Sequence, residues 1–126
     1  MGDIKYNNGT GHTSNELLSE YLEDEISPNL NFCESGLVAM ANIGPNTNGS
    51  QFFITLDDLP FLNGKYTIIG KVVKGNQILT KLAAQCGTLE GKSICDVKIS
   101  NTGIYCYFIY NPHEYCLLSP TSRKGQ

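Results

Sequence analysis

Apolar residues gather in three short runs near the middle of the chain, and each run predicts a β-strand. Residues 37–42 and 51–56 are almost continuously apolar or aromatic, as expected for strands that are covered on both faces or closed into a barrel. Residues 66–73 are rich in β-branched side chains and contain Gly70, which predicts a bulge or a close backbone approach in that strand. The chain is therefore predicted to be mainly β.

One stretch carries the helical period together with candidate ends. Between residues 75 and 87, four apolar side chains recur at helical spacing: Ile78, Leu79, Leu82 and Ala83. Asn76 is predicted to act as the N-cap, and Gly87 stands where a glycine commonly ends a helix. Residues 15–22 support a shorter helical turn.

Two further strands are predicted toward the C-terminus. Residues 95–100 alternate Val97 and Ile99 with polar side chains, as on a half-buried strand. Residues 104–110 read IYCYFIY, an uncharged and strongly β-prone segment that favours aggregation when it is left unpaired. The remaining residues, 111–126, are predicted to form a polar tail.

The composition narrows the class of protein. The chain has 126 residues, enough for one domain, and its 40% apolar and 17% charged residues are typical of a globular protein. A net charge of −3 without a basic cluster argues against a nucleic-acid partner. No apolar run approaches the roughly 20 residues of a membrane helix, and the N-terminus lacks an apolar signal core, so no membrane partner is predicted.

The cysteine, histidine and acidic residues, which are common metal ligands in proteins, do not occur at metal-ligand spacing in this chain. Five cysteines are spread without CxxC or metal-ligand spacing: Cys33, Cys86, Cys95, Cys106 and Cys116. They are predicted to be buried or idle thiols in a reducing compartment, which favours a cytoplasmic or nuclear location. The acidic run at residues 23–25 is predicted to be a solvated turn, since no histidine or further carboxylate joins it at ligand spacing. No metal and no cofactor are predicted.

The loop between the first two predicted strands is dense in turn-forming residues: Asn42, Gly44, Pro45, Asn46, Asn48, Gly49 and Ser50. Small amide side chains and glycines leave backbone groups approachable, so that a ligand's main chain can lie against them. An ordinary long connection between strands is the alternative, and the residue types alone leave both interpretations open.

Four motifs in this chain occur in the same order and spacing in a known family. They are NNGTG at residues 7–11, YLEDE at 21–25, MANIGPNTNGSQFFIT at 40–55 and FLNGKYTIIGKV at 61–72. Over about residues 2–100 the chain resembles the cyclophilins, the cyclosporin-binding class of peptidyl-prolyl cis-trans isomerases. The resemblance implies an antiparallel β-barrel of roughly eight strands capped by helices, here lacking its first strands and first helix. Residues 1–103 are accordingly interpreted as a partial cyclophilin-like domain, and residues 104–126 as a divergent C-terminal strand and polar tail.

The resemblance also implies a substrate groove. Its proline pocket would be lined by Phe53, Phe61, Leu62 and Tyr66, its peptide-backbone contacts would come from Ala41, Asn42 and Gln51, Ile43 would narrow a neighbouring subsite, and Gly9 would border the groove. The implied partners are proline-containing peptides or proteins and cyclosporin-like cyclic peptides. Phe61 stands where many members have tryptophan, so the loss of an indole N–H is expected to weaken cyclosporin binding. Tyr66 stands where histidine is common and is expected to tune affinity.

An Xaa-Pro isomerase works by binding the twisted amide better than either planar form. The rotation barrier is about 18–20 kcal/mol, and lowering it requires an apolar proline socket, backbone hydrogen bonds and a preorganised donor near the amide. A guanidinium suits the last task. Arg123, in the predicted tail, is the only arginine in the chain, and the family's Phe-His-Arg motif has no counterpart here.

The sequence therefore predicts a cyclophilin-type isomerase that assists protein folding but is weak or inactive in this chain. A non-catalytic proline-peptide binding or scaffold module is the alternative. The absent N-terminal part leaves three explanations open. The sequence is a truncated product, a divergent member in which residues 104–110 fill the vacant place in the barrel, or a module whose missing strands come from a partner.

Overall fold

The computed structural model describes residues 6, 11, 21–91 and 93–104. They contain three β-strands, β1 (Leu37–Met40), β2 (Phe52–Ile54) and β3 (Ile68–Lys71), and one α-helix, α1 (Asn76–Cys86). A short 3₁₀ helix, Pro60–Leu62, lies between β2 and β3. The strands form one antiparallel sheet in the order β2-β1-β3, so the first strand in the sequence is the central one.

The prediction for Gly70 is confirmed by the pairing of β1 with β3. Val38 pairs with Gly70 and the next residue, Ala39, pairs with Ile68, so Ile69 is an extra residue on β3. This is the arrangement of a β-bulge, in which two residues on one strand oppose one on its partner. All three predicted strands are present, and each is shorter than its apolar run.

The hydrogen-bonded ladder extends slightly beyond the strand bounds. The Ala41 N–H donates to the Gln51 carbonyl oxygen (2.9 Å), and the Met40 N–H donates to the Thr67 carbonyl oxygen (3.0 Å). The predicted strand 37–42 therefore loses its regular geometry only where the turn-forming loop begins. The difference is one of boundaries and not of element type.

The core is centred on three buried side chains, Phe32, Leu37 and Ala39. Five half-buried side chains pack against them: Phe53, Leu59, Leu62, Tyr66 and Ile68. The Phe32 and Phe53 rings are stacked with their centroids 6.0 Å apart. Phe32 precedes β1 in a polar stretch of sequence, and the hydrophobic pattern did not identify it as a core residue.

Helix α1 lies within one residue of its predicted bounds, but its N-cap is not Asn76. Gly75 occupies the cap with φ 97° and ψ 9°, and no side chain caps the helix. The prediction of Asn76 was wrong because the chain enters the helix through a left-handed conformation that glycine adopts without steric cost. Gly87 is the C-cap as predicted, and a Cβ atom there would come within 2.4 Å of the Ala83 carbonyl oxygen.

The predicted strand at residues 95–100 is not formed. This segment is irregular, and Val97 and Ile99 are 55% and 60% exposed. Alternation of polar and apolar residues makes a strand only where a neighbouring strand supplies hydrogen bonds, and none of the three described strands pairs with it. In α1, Leu79, Leu82 and Ala83 are half-buried as predicted, whereas Ile78 is exposed.

Some predictions fall on residues outside the described ranges. They are most of the helical turn at residues 15–22, the strand at 104–110 beyond Ile104, and the tail at 111–126. The sheet and helix are consistent with part of a cyclophilin fold, and closure of a barrel stays a prediction. Within the described residues, no helix has the length and apolar character needed to cross a membrane.

Candidate functional site

Three of the predicted proline-pocket residues lie together on one face of the sheet. Phe53 and Ile68 both pair with Ala39, so their side chains project to the same side of the sheet. Tyr66 is two residues before Ile68, and its ring meets the Phe53 ring edge-on at a centroid distance of 5.3 Å. Leu62 packs against the same core. We call Phe53, Leu62 and Tyr66 the aromatic face.

The aromatic face is half-buried because the central strand presents a small residue beneath it. Ala39 has no exposed surface, and its methyl group leaves room for the larger side chains of both neighbouring strands. The T-shaped contact between Phe53 and Tyr66 is a favoured aromatic geometry that fixes the relative position of the two rings. The face therefore combines a rigid base with partial access to solvent.

Two other predicted groove residues are not packed into this cluster. Phe61 is 66% exposed in the middle of the 3₁₀ helix, directly before Leu62, and Ile43 is 78% exposed in the loop after β1. The 3₁₀ helix is a local consequence of Pro60 at its first position, with the Asn63 N–H donating to the Pro60 carbonyl oxygen at 3.2 Å. Phe61 therefore stands on a defined backbone with its ring open to solvent.

The loop residues predicted to contact a peptide backbone differ in what they already bind. The Asn42 side-chain nitrogen donates to the Lys65 carbonyl oxygen (2.9 Å), which ties the loop to the turn before Tyr66. Within the described residues, the backbone N–H and carbonyl of Asn42 make no hydrogen bond. The Ala41 N–H, by contrast, is engaged by the Gln51 carbonyl. Asn42 therefore offers the backbone groups that a peptide main chain requires.

Gln51 is buried at the start of β2, where it is only 8% exposed. Its side-chain nitrogen donates to the carbonyl oxygen of the buried Gly11 at 2.5 Å. The amide thus holds Gly11 next to the start of β2. Gly9, the remaining predicted groove residue, lies outside the described residues.

A polar network that the sequence did not reveal holds the loop from the other side. Asp24 receives hydrogen bonds from the Asn46 N–H and the Asn48 side-chain nitrogen, both at 2.8 Å. Its own N–H donates to the Asn46 side-chain oxygen (2.9 Å), and Leu22 forms an isolated antiparallel bridge with Asn48. We call Asp24, Asn46 and Asn48 the Asp24 network.

The prediction that residues 23–25 are simply solvated was therefore wrong for Asp24. Asx residues in loops readily bond to nearby backbone groups. The partners here are more than 20 positions away, however, with separations of 22 and 24 residues. Nothing in the local pattern of residues 21–25 indicates a distant partner. The contact between Asp24 and the loop could be predicted only from a related protein in which both motifs are seen in contact.

A groove of about 570 Å³ lies beside β3 and shares no residue with the predicted site. It is lined by residues 24–27, Leu30 and residues 67–69. Its wall combines exposed apolar side chains, including Ile26 and Ile69, with the acidic residues Asp24 and Glu25.

Among the described residues, no three His, Cys, Asp or Glu side chains come together in a way that could hold a metal ion.

A family model and individual relatives point to the same protein family. Residues 1–104 match the family model described as cyclophilin type peptidyl-prolyl cis-trans isomerase/CLD. The chain is 44% identical over 91 residues to peptidyl-prolyl cis-trans isomerase-like 1 of Aspergillus fumigatus, covering 72% of this chain and 56% of that protein. It is 42% identical over 96 residues to peptidyl-prolyl cis-trans isomerase CYP18-2 of Arabidopsis thaliana, covering 76% and 58%. The chain thus spans a little over half the length of these relatives.

Solved structures show the same relationship. The crystal structure of a cyclophilin type peptidyl-prolyl cis-trans isomerase of Cryptosporidium parvum superposes with a TM-score of 0.62 at 42% identity, covering 70% of this chain and 55% of that one. A second crystal structure of that protein, in the presence of the dipeptide Ala-Pro, superposes with a TM-score of 0.61 at 42% identity, covering 68% and 54%. The chain belongs to the cyclophilin-type peptidyl-prolyl cis-trans isomerase family.

Proposed function

We propose that the chain binds Xaa-Pro segments of peptides and proteins on the aromatic face, and that it is a prolyl cis-trans isomerase of low activity. The observation that carries this proposal is the meeting of Phe53, Leu62 and Tyr66, from three separate segments, over one buried core. A proline ring is apolar and gains by leaving water for such a face. The related Cryptosporidium protein crystallised in the presence of Ala-Pro supports a ligand of this class.

The proposed backbone contacts come from the loop after β1. Asn42 keeps its main-chain N–H and carbonyl unbonded within the described residues, while its side chain is fixed by Lys65. A substrate main chain bonded to Asn42 would be held in one orientation beside the aromatic face. In this proposal Ala41 shapes the same segment, Ile43 borders a neighbouring subsite, and Gln51 braces Gly11 through its side-chain hydrogen bond.

We propose low activity because the described residues include no arginine that could serve as the donor. Removing one preorganised donor from a site that stabilises a developing charge typically costs about 10²–10³ in rate. The only arginine of this chain, Arg123, lies outside the described residues. The aromatic face and Asn42 supply binding, whereas stabilisation of the twisted amide requires the donor as well. A role in folding proline-containing proteins would then depend on that residual activity.

The test is an NMR titration of the labelled chain with a short Ala-Pro peptide and with an Ala-Ala peptide of equal length. We expect the amide signals of Asn42, Phe53 and Tyr66 to shift with the Ala-Pro peptide and not with the Ala-Ala peptide. Exchange spectroscopy on the Ala-Pro peptide is expected to show cis-trans exchange slightly faster than in the peptide alone, since the uncatalysed reaction takes tens to hundreds of seconds.

A matched pair of variants locates the binding face. Phe61→Ser removes an exposed ring beside Leu62 and is expected to weaken Ala-Pro binding several-fold without changing the fold. Val73→Ser, at a residue that is 97% exposed, is expected to leave binding unchanged.

In the NMR titration, equal shifts with both peptides, or shifts confined to the groove beside β3, would contradict the proposed binding site. Fast catalysed exchange would contradict the low activity, and binding with exchange no faster than in the peptide alone would leave a proline-peptide binding module.

Cyclosporin-like cyclic peptides are proposed to bind the same face weakly. Phe61 offers the apolar surface of an aromatic ring but no N–H donor, and a lost hydrogen bond typically reduces affinity by about 1 kcal/mol. Phe61→Trp is therefore expected to tighten cyclosporin binding several-fold in a calorimetric titration. Unchanged affinity in that variant would show that residue 61 does not contact the cyclic peptide.

A further inference from the structure

The end of α1 and the segment that follows it bring two cysteines together. Cys86 is the last residue of the helix and is 8% exposed. A turn at residues 88–91 follows, and the Ile94 N–H donates to the Cys86 carbonyl oxygen at 2.9 Å. Cys95 follows directly and is exposed. This main-chain hydrogen bond therefore places Ile94, the residue directly before Cys95, against Cys86.

The backbone of Cys95 is held in place by Ser93. The Ser93 hydroxyl donates to the Cys95 carbonyl oxygen (2.7 Å) and accepts from the Cys95 N–H (3.3 Å). A further turn bond joins the Gly91 N–H to the Thr88 carbonyl oxygen at 3.1 Å. The returning segment is therefore fixed locally next to the helix end, although its side chains are exposed.

The two cysteines are both free thiols. Cys86 and Cys95 form no disulfide in this structure. Hydrogen bonding to the Cys95 side chain is the main cause that raises the pKa of the Cys86 thiol, and burial adds to it. Cys33, the third described cysteine, is exposed and is also a free thiol. The sequence pattern, which has no CxxC, predicts buried or idle thiols for all five cysteines.

We propose that Cys86 and Cys95 are a site of reversible oxidation, at which a small-molecule disulfide such as glutathione disulfide converts the two thiols into an intramolecular disulfide. The exposed Cys95 thiolate attacks glutathione disulfide and displaces one glutathione thiolate. The Cys86 thiolate then attacks the Cys95 sulfur and displaces the second glutathione. The protein loses two electrons and two protons, and glutathione disulfide becomes two molecules of glutathione.

The order of the two steps follows from the surroundings of each thiol. Cys86 lies at a helix C-terminus, where the partial negative charge of the last carbonyls disfavours a thiolate. Cys95 is exposed and accessible to a soluble disulfide. The product would join the end of α1 to the segment 95–104, which the three-stranded sheet leaves unpaired. Oxidation would thus add a covalent link where the described fold has only one main-chain hydrogen bond.

Peptide mapping of the full chain after incubation with glutathione disulfide tests the proposal. Trypsin cleaves after Lys92 and so separates the two cysteines into residues 82–92 and 93–98. We expect these two peptides to be recovered as one disulfide-linked species, lighter by two hydrogens than their sum, that dithiothreitol resolves. Cys33, which is exposed and forms no disulfide, serves as the internal control and is expected to carry glutathione.

Two single variants separate the steps. In Cys86→Ser, ring closure is blocked and the glutathione adduct is expected to accumulate on Cys95. In Cys95→Ser, Cys86 is expected to react far more slowly than Cys33. A stable adduct on Cys95 in the unsubstituted chain, or linkage of Cys86 or Cys95 mainly to other cysteines, would overturn the proposal. The readout is a peptide mass, so the result does not depend on peptide binding or isomerase activity.

Discussion

Phe32 and Asn48 are almost equally buried, at 1% and 2% exposure, yet they stabilise the two halves of the candidate site in different ways. Phe32 belongs to the apolar core beneath the aromatic face, where its ring stacks on Phe53. Asn48 belongs to the Asp24 network, which holds the loop that presents Asn42. One half is held by packing and the other by directional hydrogen bonds.

The two kinds of contact respond differently to substitution. Apolar burial is roughly proportional to area and tolerates changes of shape. A buried amide is favourable only while its hydrogen bonds are made, because an unpaired polar group pays its full desolvation cost. Asn48 donates to both Asp24 and the Glu23 carbonyl, but its side-chain oxygen has no partner among the described residues. The loop is therefore the more specific half and the more easily disordered by a single lost partner.

The largest effect is expected from Phe32→Ala. Removing a buried phenylalanine ring costs about 3–5 kcal/mol of unfolding free energy, which is a large part of the total stability of a small domain. Urea denaturation followed by circular dichroism measures it. Phe61→Ala is the matched control, because Phe61 is 66% exposed and its loss is expected to cost less than about 0.5 kcal/mol. Equal losses in the two variants would show that Phe32 does not anchor the core.

The apolar half of the site was more predictable from the sequence than the polar half. Short apolar runs predicted the three strands, and Phe53, Leu62 and Tyr66 were predicted as pocket residues from the resemblance. Phe32 was missed because it stands in the polar segment that precedes β1, where a single aromatic residue produces no period. Its burial depends on β2, which lies 20 residues later and brings Phe53 over it.

The polar half required information that a local pattern does not contain. Asp24 reads as one of three consecutive acids in a turn, and only the folded chain shows that it bonds to Asn46 and Asn48. The strand predicted at residues 95–100 failed for a related reason. Alternation specifies which side chains would face a core, but it does not supply the neighbouring strand that makes the ladder.

A smaller loss is expected from Asp24→Ala, which removes one member of the Asp24 network. The substitution leaves the Asn46 N–H and the Asn48 side-chain nitrogen without their acceptor. Lost bonds to a charged, partly buried acceptor typically cost about 1.5–3 kcal/mol in total. We also expect faster hydrogen exchange at the Asn46 amide, while amides of β1 change only in proportion to global stability.

Asp58→Ala provides the control for that experiment, since Asp58 is exposed and its side chain makes no hydrogen bond within the described residues. We expect it to change the unfolding free energy by less than about 0.5 kcal/mol. If Asp24→Ala behaves in the same way, or if exchange at Asn46 is unaffected, the network does not hold the loop, and the contrast between the two halves of the site is lost.

The smallest effect is expected at the ion pair between Lys71 and Glu34, which tests whether polar contacts stabilise this fold when they are not buried. The Lys71 ammonium lies 2.5 Å from a Glu34 carboxylate oxygen, but the two side chains are 52% and 46% exposed. Solvation and side-chain entropy offset most of the attraction in such a pair, which leaves about 0.2–1 kcal/mol.

A double-mutant cycle with Lys71→Met and Glu34→Gln measures the coupling between the two side chains. Adding 1 M salt is expected to remove most of this coupling, because the screening length falls to about 3 Å. A coupling as large as the loss in Asp24→Ala, or one that persists at high salt, would mean that exposed and partly buried polar contacts stabilise this fold alike, so that burial is not what makes the Asp24 network effective.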